Sequence, residues 1–236
     1  LGVAEAAKRI ESALRKGERI AIYGDYDVDG VTSTALLYLY LSNLGADVFG
    51  YIPNRFDEGY GLNNEALTTL KAKGTDLVIT VDCGIRSLDE VEHAQNLGLD
   101  IIITDHHHPG DELPNALAVI DPKQPGDSYT EKDLAGVGIA YKLASALDKE
   151  LENTKSPADD YLDLVALGTV ADLAPLIGEN RSLVRRGLQQ MKKPQRQGLL
   201  SLMGVAGLTP NRMRASDIGF GLGPRLNAAG RLHDAK

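Results

Sequence analysis

Cysteine is nearly absent from these 236 residues, with Cys83 standing alone. One thiol cannot build a disulfide framework, and it points to a reducing compartment. The lack of cysteine pairs also weighs against a zinc site. No apolar stretch approaches the ~20 residues needed to span a bilayer, so no membrane partner is expected. Internal repeats and low-complexity runs are missing as well. The chain opens on Leu1 rather than Met, which reads as a trimmed chain from which a targeting signal could have been removed.

Excess positive charge is missing too. The net charge of −8 argues against indiscriminate nucleic-acid binding. That average hides an asymmetry. Residues 181–236 hold 11 Lys/Arg against 2 Asp/Glu, a net of +9, whereas residues 1–180 hold 14 against 31, a net of −17. An acidic body with a basic C-terminal quarter suits a metal site beside a polyanion-binding surface. Hydrophobic content of 43% and charged content of 25% are ordinary for a soluble globular chain of this length.

What the sequence does contain is organised around Ile20–Gly30, IAIYGDYDVDG. A short apolar run ends in Gly24, followed by Asp25, Asp27 and Asp29 at alternate positions. Strands are expected at Arg19–Tyr23, Asp47–Ile52, Leu77–Val81, Asp100–Thr104 and Leu117–Ile120. Helices are expected between them at Val31–Leu44, Asn63–Lys73 and Ser87–Leu97, after a first helix over Val3–Lys16. Beyond Ser128 strands stop, and Asp133–Glu150, Ala158–Ala171, Arg181–Met191 and Gln195–Val205 read as helices. The pattern predicts an α/β fold: a parallel, about five-stranded sheet with helices on both faces, followed by a helical segment.

The expected strand ends carry the chemistry. Asp27 and Asp29, Asp82 and His106 all follow strands, and the C-terminal ends of parallel strands share one edge. Such carboxylates with imidazole suit Mn²⁺ best, with Mg²⁺ tolerated. Two such ions ~3.5–4 Å apart clamp a phosphoryl group and activate a water. An EF-hand starting at Asp25 would place Leu36 where a bidentate Glu is needed. A haloacid-dehalogenase-type phosphatase would leave the run Asp105-His106-His107-His108 unexplained. In that run, one imidazole can face the metals while its neighbour faces substrate, with a carboxylate orienting a ring nitrogen. Asp172, in the apolar stretch ALGTVADLAPL, needs a metal or a cation if buried.

GDYDVDG, VDCG, TDHHH and ALGTVADLAPL, in this order, resemble the four motifs of the DHH phosphoesterase superfamily. IPNRFDEGYGL, DLAGVGIAYKL and GPRLNAAGRL further resemble its RecJ family of bacterial single-strand-specific exonucleases. The resemblance implies that Asp27, Asp29, Asp82, His106 and Asp172 bind two ions, Asp82 bridging them. It implies that His107, beside Asp105, contacts the scissile phosphate. Many superfamily members carry a histidine where this chain has Tyr23, and Asp25 is a candidate to compensate. Arg55, Tyr60, Arg225, Asn227 and Arg231 are the implied nucleic-acid contacts.

The residues alone reach two-metal phosphoester hydrolysis. The resemblance implies more: a 5′-to-3′ exonuclease on single-stranded DNA, acting in repair and recombination in the bacterial cytoplasm. It would act as a monomer, alongside a helicase and a single-strand-binding protein. Hydrolysis of oligoribonucleotides or cyclic dinucleotides, manganese pyrophosphatase activity, and a catalytically silent DNA-binding scaffold are the alternatives. Residues 1–180 are expected to form the DHH-type domain. Residues 181–236 would be a basic helical connector toward a second, absent DHHA1-type domain, without which DNA degradation would be poor.

Overall fold

The computed structural model describes residues 1–54, 59, 61–152 and 155–232, with 229–232 as backbone only. Strands β1 (Arg19–Gly24), β2 (Asp47–Tyr51), β3 (Leu77–Val81), β4 (Asp100–Thr104) and β5 (Ala118–Ile120) pair in parallel in the order β2-β1-β3-β4-β5. The three central strands, β1, β3 and β4, are almost entirely buried, as expected where helices cover both faces. Ile20, Ile22, Ile79 and Ile102 pack on one face with α1 (Val3–Lys16), α2 (Val28–Asn43) and the later helix α5 (Gly136–Glu150). Ala21, Tyr23, Val78, Ile101 and Ile103 pack on the other with α3 (Asn64–Ala72) and α4 (Leu88–Asn96). This alternation along each strand is the two-residue period of extended chain turned into two cores.

Strand β1 is flanked by β2 on one side and β3 on the other: the chain steps from β1 to β2, then crosses back over β1 to β3, and the direction of travel reverses there. That reversal, at the C-terminal strand ends, is where open α/β sheets hold ligands. A third apolar cluster lies beyond the sheet. It joins Val28 at the start of α2 to α6 (Leu162–Ala171), α7 (Gly178–Met191) and α8 (Gln197–Val205). It also takes in Met213, Ile218 and Leu222. The chain then passes through α9 (Ala215–Asp217) and a π-helical turn (Ile218–Leu222) into α10 (Gly223–Leu232). No described helix is long and apolar enough to cross a membrane.

Two differences from the sequence-based expectation matter for the site. Helix α2 starts at Val28, three residues earlier than the apolar run suggested, because Asp27 caps it. Within the helical connector expected over residues 181–236, no individual helix was placed at 215–232, since Gly219, Gly221, Gly223 and Pro224 break the apolar period.

Helices α6 and α7 approach closely at Gly187, where a Cβ would collide with the Leu162 carbonyl and crowd Ala166. Gly187→Ala should therefore lower stability by about 1–3 kcal/mol. In α8, Gly204→Ala meets nothing within 4 Å and should raise it by up to about 1 kcal/mol. Denaturant midpoints at constant slope measure both.

Candidate metal centre

Three strand ends and one helix end deliver the acids. After β1, Asp27 takes the N-cap of α2, its carboxylate accepting the Gly30 N–H at 3.0 Å. A negative charge belongs at that end of a helix. Gly30 cannot be larger, because a Cβ would lie 2.5 Å from the Asp25 carbonyl oxygen. Asp29, in the first turn of α2, is 1% exposed. Its two oxygens accept the N–H groups of Gly136 (2.6 Å) and Val137 (2.9 Å), which open α5. Gly136 is needed for that approach: a Cβ there would sit 2.9 Å from the Asp82 Cβ and 3.1 Å from Asp29 Oδ2.

Asp82 follows β3 in the left-handed region at φ 61°, a conformation costly for a residue other than glycine. The turn is held by the Asp82 N–H on the Thr104 carbonyl (3.0 Å) and by the Thr80 hydroxyl on the Cys83 carbonyl (2.8 Å). Asp105, after β4, accepts four bonds. These come from the backbone of Ile85 (2.9 Å), His106 (2.7 Å) and His107 (3.1 Å), and from His107 Nδ1 (2.7 Å). His106 lies deeper. Its Nε2 is 3.0 Å from Asp82 Oδ1 and 3.8 Å from Asp29 Oδ2, and its Nδ1 is 3.9 Å from Asp172 Oδ2. Lys123 Nζ donates to the His106 carbonyl at 2.6 Å. Asp172 sits at the C-terminal end of α6, the wrong end of a helix dipole for an anion.

Ligand-capable atoms fall into three overlapping groups, each within 4.8 Å: Asp25–Asp27–Asp82, Asp29–His106–Asp172, and Asp82–His106–His107. Asp82 is shared between the first and the third. The protonation energetics follow from the crowding. Burial, then the charges of Asp172 and Asp27, pushes Asp29 well above the usual carboxylate range despite its two amides. Burial, then Asp29 and Asp27, does the same to Asp82. Burial and then Asp27 raise Asp172 to about 6. Burial, then His107, lowers His106 to about 4. Burial pushes Asp105 up, but its bond to His107 and the amides outweigh it and hold it low, and the same bond raises His107.

This donor set fits divalent cations. His106 Nε2 is buried and makes no hydrogen bond, although it lies 3.0 Å from a carboxylate oxygen. The acids around it are held close against their mutual repulsion. Oxygen donors with one or two imidazoles are the chemistry of Mn²⁺, with Mg²⁺ second.

Other sequence-based candidates fall elsewhere. Tyr23 is fully buried on the α3/α4 face, its hydroxyl donating to the Gly61 carbonyl (2.9 Å) and its ring 5.1 Å from that of Tyr51. Its hydroxyl and ring are engaged there, and Asp25 is the residue grouped with Asp27 and Asp82. Asn227 Oδ1 accepts the Val28 N–H (3.2 Å), tying α10 to the start of α2. Arg225 is exposed and donates to the Gly221 carbonyl at 2.7 Å. Arg55, Tyr60 and the side chain of Arg231 lie outside the described residues. Gly136, Val137, Ile85 and Lys123 were not singled out as site residues by sequence. Gly136 and Val137 lie in DLAGVGIAYKL, and only the fold shows which carboxylate their amides meet.

A family model described as the DHH family, N-terminal domain, matches residues 19–169. The chain belongs to the DHH family. Within it, the chain is 50% identical over 234 residues to the single-stranded-DNA-specific exonuclease RecJ of Bacillus subtilis, covering 99% of this chain and 29% of that protein. It is 46% identical over 244 residues to RecJ of Escherichia coli, covering 99% and 42%. The chain thus spans less than half the length of these curated DHH relatives. A crystal structure of exonuclease RecJ bound to manganese superposes with TM-score 0.91 at 42% identity, covering all of this chain and 59% of the other. RecJ of Thermus thermophilus in complex with Mn²⁺ gives 0.85 at 40% identity, covering 99% and 33%.

The shifted groups make stability depend on pH and metal. Asp29, Asp82 and Asp172 bind protons more tightly folded than unfolded. Their stabilisation is complete below the ordinary carboxylate range and is lost as pH rises, through about 6 for Asp172. His107, also raised, runs the same way. His106 runs oppositely, gaining stability as pH rises from about 4 to 6.5. Three acids outweigh one imidazole. In EDTA the melting temperature should fall between about pH 5 and 7. In saturating Mn²⁺ it should rise over that interval, because the ligands must shed protons to bind. Scanning calorimetry decides it.

Proposed function

We propose that this chain carries the two-metal centre of a phosphodiesterase that degrades single-stranded DNA from the 5′ end. The observation that carries the reading is Asp82, which groups with Asp25 and Asp27 on one side and lies 3.0 Å from Nε2 of His106, itself grouped with Asp29 and Asp172, on the other. Similarity at 46–50% identity to RecJ exonucleases across nearly the whole chain supports the substrate class. Asp25, Asp27 and Asp82 would hold one ion. Asp29, His106 and Asp172, with Asp82, would hold the other. When bound, such ions neutralise charge on the phosphate and lower the pKa of an attacking water.

The remaining work belongs to the chain. Asp105 occupies His107 Nδ1, so Nε2 is the nitrogen that can meet a phosphate oxygen. The same bond favours the protonated ring, which can donate to the charge developing on phosphate. Four bonds on Asp105 fix its own position, so the imidazole is oriented before substrate arrives. Arg225, Asn227, Arg55, Arg231 and Tyr60 are the proposed contacts to the strand, the arginines meeting phosphate in bidentate fashion. Residues 1–180 would form the metal-binding unit, and 181–236 a basic helical connector resting on α6.

Two variants test the roles. His107→Ala should cut hydrolysis of 5′-labelled single strands in Mn²⁺ by about 10²–10⁴ while leaving the calorimetric Mn²⁺ titration unchanged. Asp172→Ala should lose both. Hydrolysis of cyclic dinucleotides without attack on strands would overturn the substrate assignment, and unaltered Mn²⁺ binding in Asp172→Ala would overturn the ligand set.

A further inference from the structure

Phe220 is the most exposed of the large apolar side chains in the described residues, at 86%. It lies on the π-helical turn between α9 and α10. Its neighbours Ile218 and Leu222 are fully buried in the α6–α8 cluster. The turn is therefore pinned from beneath, and the ring is held out in solvent by a rigid base. π-Turns are rare and concentrate at functional sites. The second outlier is Leu173, 84% exposed and in the left-handed region at φ 61°. It directly follows Asp172. Neither burial nor backbone preference explains a leucine there, and strain of this kind gathers at ligand sites. Leu173 lines a cleft of about 350 Å³ together with Ala171, Gly219, Gly223, Pro224 and Asn227. Gly219, the residue before Phe220, belongs to that lining, and so do Ala171 and Leu173 on either side of Asp172, so the exposed ring is next in the chain to a cleft that adjoins the metal centre.

We infer that Phe220 is a stacking seat for a nucleobase of the strand whose backbone Arg225 engages. This rests on the function proposed above and adds a residue that grips bases. Charge favours this occupant: the Arg225 guanidinium donates to a backbone carbonyl and has no carboxylate partner among the described residues. It also lies in the quarter of the chain carrying +9. Size favours it as well. One exposed ring, next in the chain to a cleft of about 350 Å³, suits a single base, whereas a stable protein interface needs about 800 Å² per partner. Every base has a π-face, so such a seat is indifferent to sequence. It also selects single strands, because a paired base must first be unstacked to reach it.

The test is fluorescence anisotropy of the 236-residue chain, with Ca²⁺ in place of Mn²⁺, on two labelled 12-mers: oligothymidylate and an abasic strand of equal length. Phe220→Ala should weaken oligothymidylate binding about tenfold and leave abasic binding unchanged. Phe220→Trp should restore it, and both variants should melt with wild type. A 2-aminopurine strand should show base-stacking quenching with wild type and lose it with Phe220→Ala. Equal oligothymidylate affinity in wild type and Phe220→Ala overturns the inference while the proposed function stands. So does light scattering in which wild type is a dimer and Phe220→Ala a monomer, which would make a second copy the occupant. Wild type binding neither strand overturns the nucleic-acid reading itself, and this inference with it.

Discussion

A buried carboxylate held by two backbone amides is the constraint on which the rest of the centre depends. Asp29 is 1% exposed, and an acid in such a place is tolerable only with strong partners. The start of α5 supplies them through Gly136 and Val137. The bond pair ties the first strand–helix unit to a helix more than a hundred residues away in sequence. It also requires three elements to meet without side chains between them. Gly136 on α5 and Gly168 on α6 both face Asp29, and a Cβ at Gly168 would lie 2.9 Å from its Oδ1.

Around that anchor the chain accepts arrangements that lower its own stability. Asp82 adopts a left-handed backbone, Asp172 places an anion at a helix C-terminus, and His106 keeps a buried nitrogen without a hydrogen bond. Each is unfavourable alone. Cations would offset the last two, and the strained turn at Asp82 holds its carboxylate where they would sit, so features that cost stability also preorganise the site for binding. Asp105 and His107 stand apart from this tension. Their mutual hydrogen bond stabilises both charged forms, so burial does not drive them neutral.

Part of this was legible in the sequence because it follows from periodicity. Apolar runs ending in Asp25, Asp82 and Asp105-His106 mark strands whose ends must share an edge, and the five strands fall where those runs are. The start of α2 was misplaced because the acids themselves hide it: Asp27 reads as loop until its side chain is seen capping Gly30. The helix holding Pro224 and Arg225 was invisible for a related reason. Three glycines and a proline erase the apolar period, and the turn is π-helical, which no 3.6-residue pattern reports.

By itself the sequence determined the parallel α/β architecture and the edge where the acids would gather. These depend on local pattern and on the rule that parallel strand ends align. Only the tertiary structure decided which acids share a cation-sized space, which one stands between two groups, and which amides hold Asp29. It alone set Phe220 and Leu173 in solvent. Those outcomes depend on contacts between segments remote in the chain, where a shift of one helix by an ångström changes which atoms meet, and no local periodicity encodes such distances.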